Sequence, residues 1–107
     1  MRKDKQALLA AKRERLDVEF AKYRSKPFEQ LYRLIEDEEG GEIEINGIEM
    51  VFSAFAVDEN DGRLGVLVEI RRMRFLGWSQ VQVRGFYASP NGSTVEMENE
   101  DLWGHGY

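Results

Sequence analysis

The residues best suited to chemistry in this chain are four arginines, Arg71, Arg72, Arg74 and Arg84. Guanidinium groups brought together on one surface bind phosphate or carboxylate in a bidentate fashion. The alternation of the flanking residues sets Arg72 opposite Arg84 on the outer face of a sheet, with Arg71 in a β-bulge and Arg74 two residues along. The same register sets Glu49 beside Arg74 and Glu98 beside Arg84, and interleaved charge of this kind is how a sheet face is ordinarily solvated. A neutralised row is therefore the first reading and an anion or small-ligand site the second. Repulsion between Arg72 and Arg84 is left unexplained by the first.

Carboxylates are abundant, in the pair Glu44/Glu49, the run Glu36-Asp37-Glu38-Glu39 and the loop Asp58-Glu59-Asn60-Asp61-Gly62. General acid–base work needs one carboxylate desolvated with its pKa raised, and the pattern places none in an apolar pocket. The loop lacks the alternating ligands and terminal bidentate Glu of an EF-hand, so it reads as a surface turn. His105 is the single histidine. Between two glycines it has neither a second ligand for zinc nor an orienting partner for a triad. Ser25, Ser53, Ser79, Ser89 and Ser93 then lack a general base, and zero cysteines exclude thiol chemistry and disulfides. Gly40-Gly41 and Gly62-Arg63-Leu64-Gly65 are too sparse for a phosphate loop. These observations point away from an enzyme and imply no cofactor and no metal.

The elements that must position these residues follow from periodicity. Residues 4–24 read as a helix of strong helix formers, with Asp4 as cap and Leu9, Leu16, Phe20 and Tyr23 as its apolar stripe. Ala7–Ala11 is apolar all round and followed by basic residues, so the first half of this helix is expected to project. Pro27 opens a second helix whose face is Phe28, Leu31, Tyr32 and Ile35, ended by Gly40-Gly41. Glu36–Glu39 at its end reads as solvated linker.

From Glu42 the period changes to two. Asn46-Gly47 predicts a type I′ hairpin that sets Ile45 against Ile48, Ile43 against Met50 and Glu44 against Glu49. Strands follow over Leu64–Leu76, Gln80–Ala88 and Ser93–Glu98. A bulge at Arg71-Arg72 would bring Val66, Val68, Ile70, Met73 and Phe75 to one face, pairing Phe75 with Val81, Met73 with Val83, Ile70 with Gly85 and Val68 with Tyr87. Tyr87 then pairs with Val95 and Gly85 with Met97. In this register Phe55 and Phe86 point outward with Val51, Val57 and Leu67, an apolar patch of interface composition unless the first helix or the C-terminal turn covers it. Asn99–Trp103 reads as a capped helical turn, its Leu102 and Trp103 closing one end of the core, and Gly104–Tyr107 as a loose tail.

The predicted architecture is α+β: two N-terminal helices packed against a five-stranded antiparallel β-meander, with a short C-terminal helical turn. Its parts are a basic helix over residues 1–26, a core over 27–103 and a tail over 104–107. Charge divides along the same line. Residues 1–26 hold nine Lys/Arg against four Asp/Glu, and residues 27–107 hold six Arg against sixteen Asp/Glu. A basic arm on an acidic body suits a protein partner or a second copy. The arm's candidate docking residues are Leu8, Leu9, Lys12 and Arg13. No apolar run approaches the length of a membrane span, and nothing reads as a signal peptide, so a cytoplasmic protein is expected. The function expected is a small non-catalytic protein-interaction module or regulator, in its sharper form an inhibitor or immunity-type protein whose acidic body masks a basic partner. The alternatives are a nucleic-acid-associated protein using the basic helix, which the acidic body opposes, and an anion binder at the arginines.

Overall fold

Residues 2–72 and 81–107 are described by the computed structural model, with side chains from residue 5 onward. The first helix, α1 (Arg2–Arg24), stops where Ser25 and Pro27 break the pattern. Its buried stripe is Lys12, Leu16, Phe20 and Tyr23, with Leu8 and Ala11 packed against the same core. Leu8, Lys12, Leu16 and Phe20 follow one i, i+4 ridge. Leu9, expected in the stripe, lies beside that ridge and is 41% exposed. Helix packing thus begins near Leu8 rather than in the second half alone.

After Pro27, α2 (Phe28–Tyr32) tightens at once into a 3₁₀ turn over Arg33–Ile35. A 3₁₀ turn advances by three residues, so Leu31 and Leu34 eclipse and are buried together. Tyr32 and Ile35, expected on the apolar face from a 3.6 period, are rotated out to 54% and 37% exposure.

Five strands then form one antiparallel meander in the order β1 (Glu39–Ile45), β2 (Ile48–Asp58), β3 (Leu64–Arg71), β4 (Val81–Ala88) and β5 (Thr94–Glu96), followed by α3 (Asn99–Gly104). The α+β class expected from the sequence is the one observed. Asn46 (φ 51°) and Gly47 (φ 78°) form the predicted turn, and Ile45–Ile48, Ile43–Met50 and Glu44–Glu49 pair as expected. Gly40-Gly41 does not end a helix. Both glycines lie in β1, where Gly40 pairs with Ser53 and a Cβ on it would stand 2.1 Å from the Phe52 carbonyl oxygen.

The β3–β4 register differs from the expected one. Ile70 pairs with Gln82, Val68 with Arg84, Val66 with Phe86 and Gly65 with Tyr87, and pairing is regular through Arg71–Val81 with no bulge before Arg72. Phe86 therefore points inward, fully buried, with its ring edge-on to Phe20 at 5.6 Å and 88°. Gly85 moves to the outer face, where a Cβ would meet Met97 Sδ at 2.6 Å and Leu67 Cδ2 at 3.2 Å. The bare glycine lets those two side chains close over the sheet. Tyr87–Val95 pairs as expected, and the Met97 amide donates to the Gly85 carbonyl at 2.8 Å. The expected Gly77-Trp78-Ser79 loop, Arg74, Met73 and Phe75 lie outside the described residues.

The core sits between α1, the α2 turn and the inner sheet face of Met50, Phe52, Ala54, Ala56, Val66, Val68, Ile70 and Phe86. The outer face is covered in part by α3. Its start is a capping box in which Glu98 and Asp101 exchange side-chain-to-backbone hydrogen bonds. Leu102 faces Val81 and Val83 on this side rather than an end of the core, and Trp103 is 67% exposed.

Candidate functional site

Of the four arginines, the three among the described residues, Arg71, Arg72 and Arg84, are not gathered on one surface. Arg72 and Arg84 share the helix-covered face, but Arg84 stands opposite Val68, four residues from Arg72 and roughly 13 Å away at the usual strand rise. Arg84 lies over the Phe20 ring at 3.8 Å and pairs with Asp17 at 2.8 Å and Glu96 at 2.5 Å. The guanidinium is thus a clamp between α1 and β5, neutralised by Asp17 and Glu96 rather than by Glu98. Arg71 is on the opposite, outer face and pairs with Glu69 at 3.3 Å. Of the outward aromatic pair, Phe55 is outward and half-buried against its register partner Leu67, whereas Phe86 is in the core. Of the arm's docking residues, Leu9 and Arg13 are exposed, Leu8 is half-buried, and Lys12 is withdrawn to 3% exposure.

Two polar constellations emerge instead. The first is an acidic edge. β1 is hydrogen-bonded to β2 alone and forms the long edge of the sheet. On it and the segment leading into it, Glu36, Asp37, Glu38, Glu39, Glu42 and Glu44 are all exposed, as is Glu49 across the hairpin. Elsewhere in the described residues five carboxylates are held by arginine: Arg15 holds Glu19, Arg63 holds Asp61, Arg71 holds Glu69, and Arg84 holds Asp17 and Glu96; Glu14, Glu29, Asp58, Glu98 and Glu100 are exposed on other elements without an ion pair. No ion pair among the described residues involves any of the seven edge carboxylates. Glu39 instead accepts a hydrogen bond from the Tyr23 hydroxyl at 2.6 Å. Burial, and then that carboxylate, push the Tyr23 phenol far above its ordinary range.

The second constellation ties the chain's last residues to the outer face. His105 Nδ1 lies 2.7 Å from the Asp101 carbonyl oxygen and Nε2 lies 2.5 Å from Glu59 Oε1. The Tyr107 hydroxyl donates to Glu69, and the Tyr87 hydroxyl donates to Asp101 at 3.0 Å. Arg63 stacks on the Tyr87 ring at 4.1 Å. The expected looseness of residues 104–107 is thus not observed, because Glu59 and Glu69 supply acceptors on the sheet that sequence adjacency does not reveal. Glu59 is seated by Gly65, on which a Cβ would stand 2.4 Å from its Oε1. Burial pulls the His105 pKa down, but the Asp101 carbonyl and the Glu59 carboxylate outweigh it and hold the imidazole above its ordinary value. Hydrogen bonds from the Glu98 amide and the Tyr87 hydroxyl lower the Asp101 carboxyl.

Comparison with protein-family models, curated proteins and solved structures gave no match. Among the described residues no group of three or more His, Cys, Asp or Glu is arranged to hold a metal ion, and no helix is long and apolar enough to cross a membrane.

Proposed function

We propose that the chain is a small non-catalytic protein-interaction module that presents its acidic edge to a basic protein, in the manner of an inhibitor or immunity protein. The observation that carries this reading is the unneutralised edge, Glu36–Glu39 with Glu42, Glu44 and Glu49. Five carboxylates elsewhere are held by arginine, whereas these seven stand together along one side of the sheet, exposed and in no ion pair among the described residues. Charge left exposed on one side speeds and orients encounter with a partner of opposite sign. The same charges forbid two copies of this edge from pairing with each other.

The basic helix supports nucleic-acid binding less well, because Glu14 and Asp17 interrupt its exposed surface beside Arg13 and the body repels phosphate. The test is affinity isolation with wild-type and E42K/E44K/E49K baits at low and high salt, the captured protein being identified and expressed. A basic protein held at low salt, released at high salt and lost to the triple variant is the expected result. Capture that survives the triple variant, or recovery of nucleic acid instead, would overturn the reading.

A further inference from the structure

His105 is placed between two acceptors. The Asp101 carbonyl faces Nδ1 and the Glu59 carboxylate faces Nε2, both within hydrogen-bond distance. A neutral imidazole has one N–H and one lone pair, whereas the imidazolium has two N–H groups. Only the cation satisfies both contacts, because either neutral tautomer turns a lone pair toward an oxygen.

The groups around the ring come from every element that packs there. Glu59, Asp61 and Arg63 belong to the β2–β3 loop, Tyr87 to β4 with its ring 6.3 Å from the imidazole, and Asp101 to α3. Arg63 is held by Asp61 and by the Tyr87 ring, so Glu59 has His105 as its ion-pair partner. Glu59 is also fixed from below, since glycine at 65 leaves room for its carboxylate. On β3 the wholly buried Leu67 lies between the two anchors, Gly65 under Glu59 and Glu69 under the Tyr107 hydroxyl, with the nearly buried Met97 beside it over Gly65 and Gly85.

We propose that His105 is a proton-operated latch, closed in its imidazolium form, that holds the strap of α3 and Tyr107 over the outer sheet face and releases it on deprotonation. Exposure of the Leu67–Met97 surface thereby becomes a function of pH, independent of whether the acidic edge binds a partner.

The sign follows from linkage. A group whose pKa is raised in the closed state stabilises that state fully below its ordinary value of 6.5, and the contribution is lost as pH rises through the raised value. The measurement is amide hydrogen exchange of residues 99–107 across that pH range, corrected for the intrinsic rate, together with NMR titration of the His105 ring. Strap opening is expected to rise roughly tenfold per pH unit from the ordinary histidine value upward and to level off once the raised value is passed, while β2 and β3 stay protected.

Glu59→Gln separates this from a merely structural contact. Its amide offers either a donor or an acceptor, so it satisfies the neutral ring as well. The strap is then expected to stay closed at high pH, with the pH dependence gone. His105→Gln, which carries no titrating proton, is expected to show strap exchange that does not change with pH. A wild-type strap whose protection is flat with pH, or a pH dependence that persists in either variant, would overturn the latch.

Discussion

Arg84 is where two parts of the fold are fastened. Its guanidinium contacts the Phe20 ring, Asp17 on α1 and Glu96 on β5 at once. Ion pairs on a surface contribute little singly, but this one is about two-thirds shielded and shares its cation with an aromatic face. Arg84→Gln is expected to cost about 1–2 kcal/mol in denaturant unfolding, whereas Arg72→Gln should stay within about 0.5 kcal/mol, as ordinary surface changes do. Equal effects would mean that the clamp contributes nothing. At Gly65 the consequence is electrostatic. A methyl group there meets the far end of the flexible Glu59 side chain, which can swing aside. Gly65→Ala should therefore leave the melting temperature within a few degrees but return the His105 pKa toward 6.5 in an NMR titration. An unchanged titration would show that Glu59 does not hold the ring.

At the scale of elements, β1 tests how closely two backbones meet. A Cβ on Gly40 would strike the Phe52 carbonyl oxygen, and its φ of 155° is one that side chains rarely adopt, while a Cβ on Gly41 meets nothing within 4 Å. Gly40→Ala is expected to destabilise by more than about 1 kcal/mol, and Gly41→Ala by less than about 0.5 kcal/mol. Equal effects on the unfolding midpoint would place β1 wrongly against β2. The sequence was readable where one cause dominates. Asn46-Gly47 can form little but a type I′ turn, and the hairpin it closes has the expected register. The Glu98/Asp101 box likewise marks α3. Val66, Val68 and Ile70 face the core as expected, but the β3–β4 register was not legible, because β3 is buried on both faces, Leu64 to Ile70 without a break. A strand with two apolar faces does not select which parity of its partner turns inward. Val81, Val83 and Tyr87 on one parity of β4 competed with Phe86 on the other, and the Phe20–Phe86 contact that decides between them is tertiary. The same holds for the strap, since 46 residues separate Glu59 from His105.

Over the whole molecule, charge is sorted by location and by what it touches. Arginines on the sheet are spent on Asp17, Glu69 and Glu96, and the loop Arg63 on Asp61. The β1 side of the sheet retains its seven carboxylates exposed. Part of this was legible, since the composition divides at residue 26. The edge itself was not, because Glu36–Glu39 reads as linker until Glu39 is seen to open β1 and to meet Tyr23. The acidic edge adjoins the C-terminal strap at Glu38, whose charge acts on the Tyr107 hydroxyl, and runs on from there to the Glu44/Glu49 hairpin. Backbone amide chemical-shift mapping of the full chain, titrated with the isolated basic partner, tests the acidic edge most directly. Shifts concentrated at residues 36–49, weakened by added salt and absent from the E42K/E44K/E49K variant, are the expected result; shifts confined to α1 or to residues 99–107, with 36–49 unmoved, would contradict it.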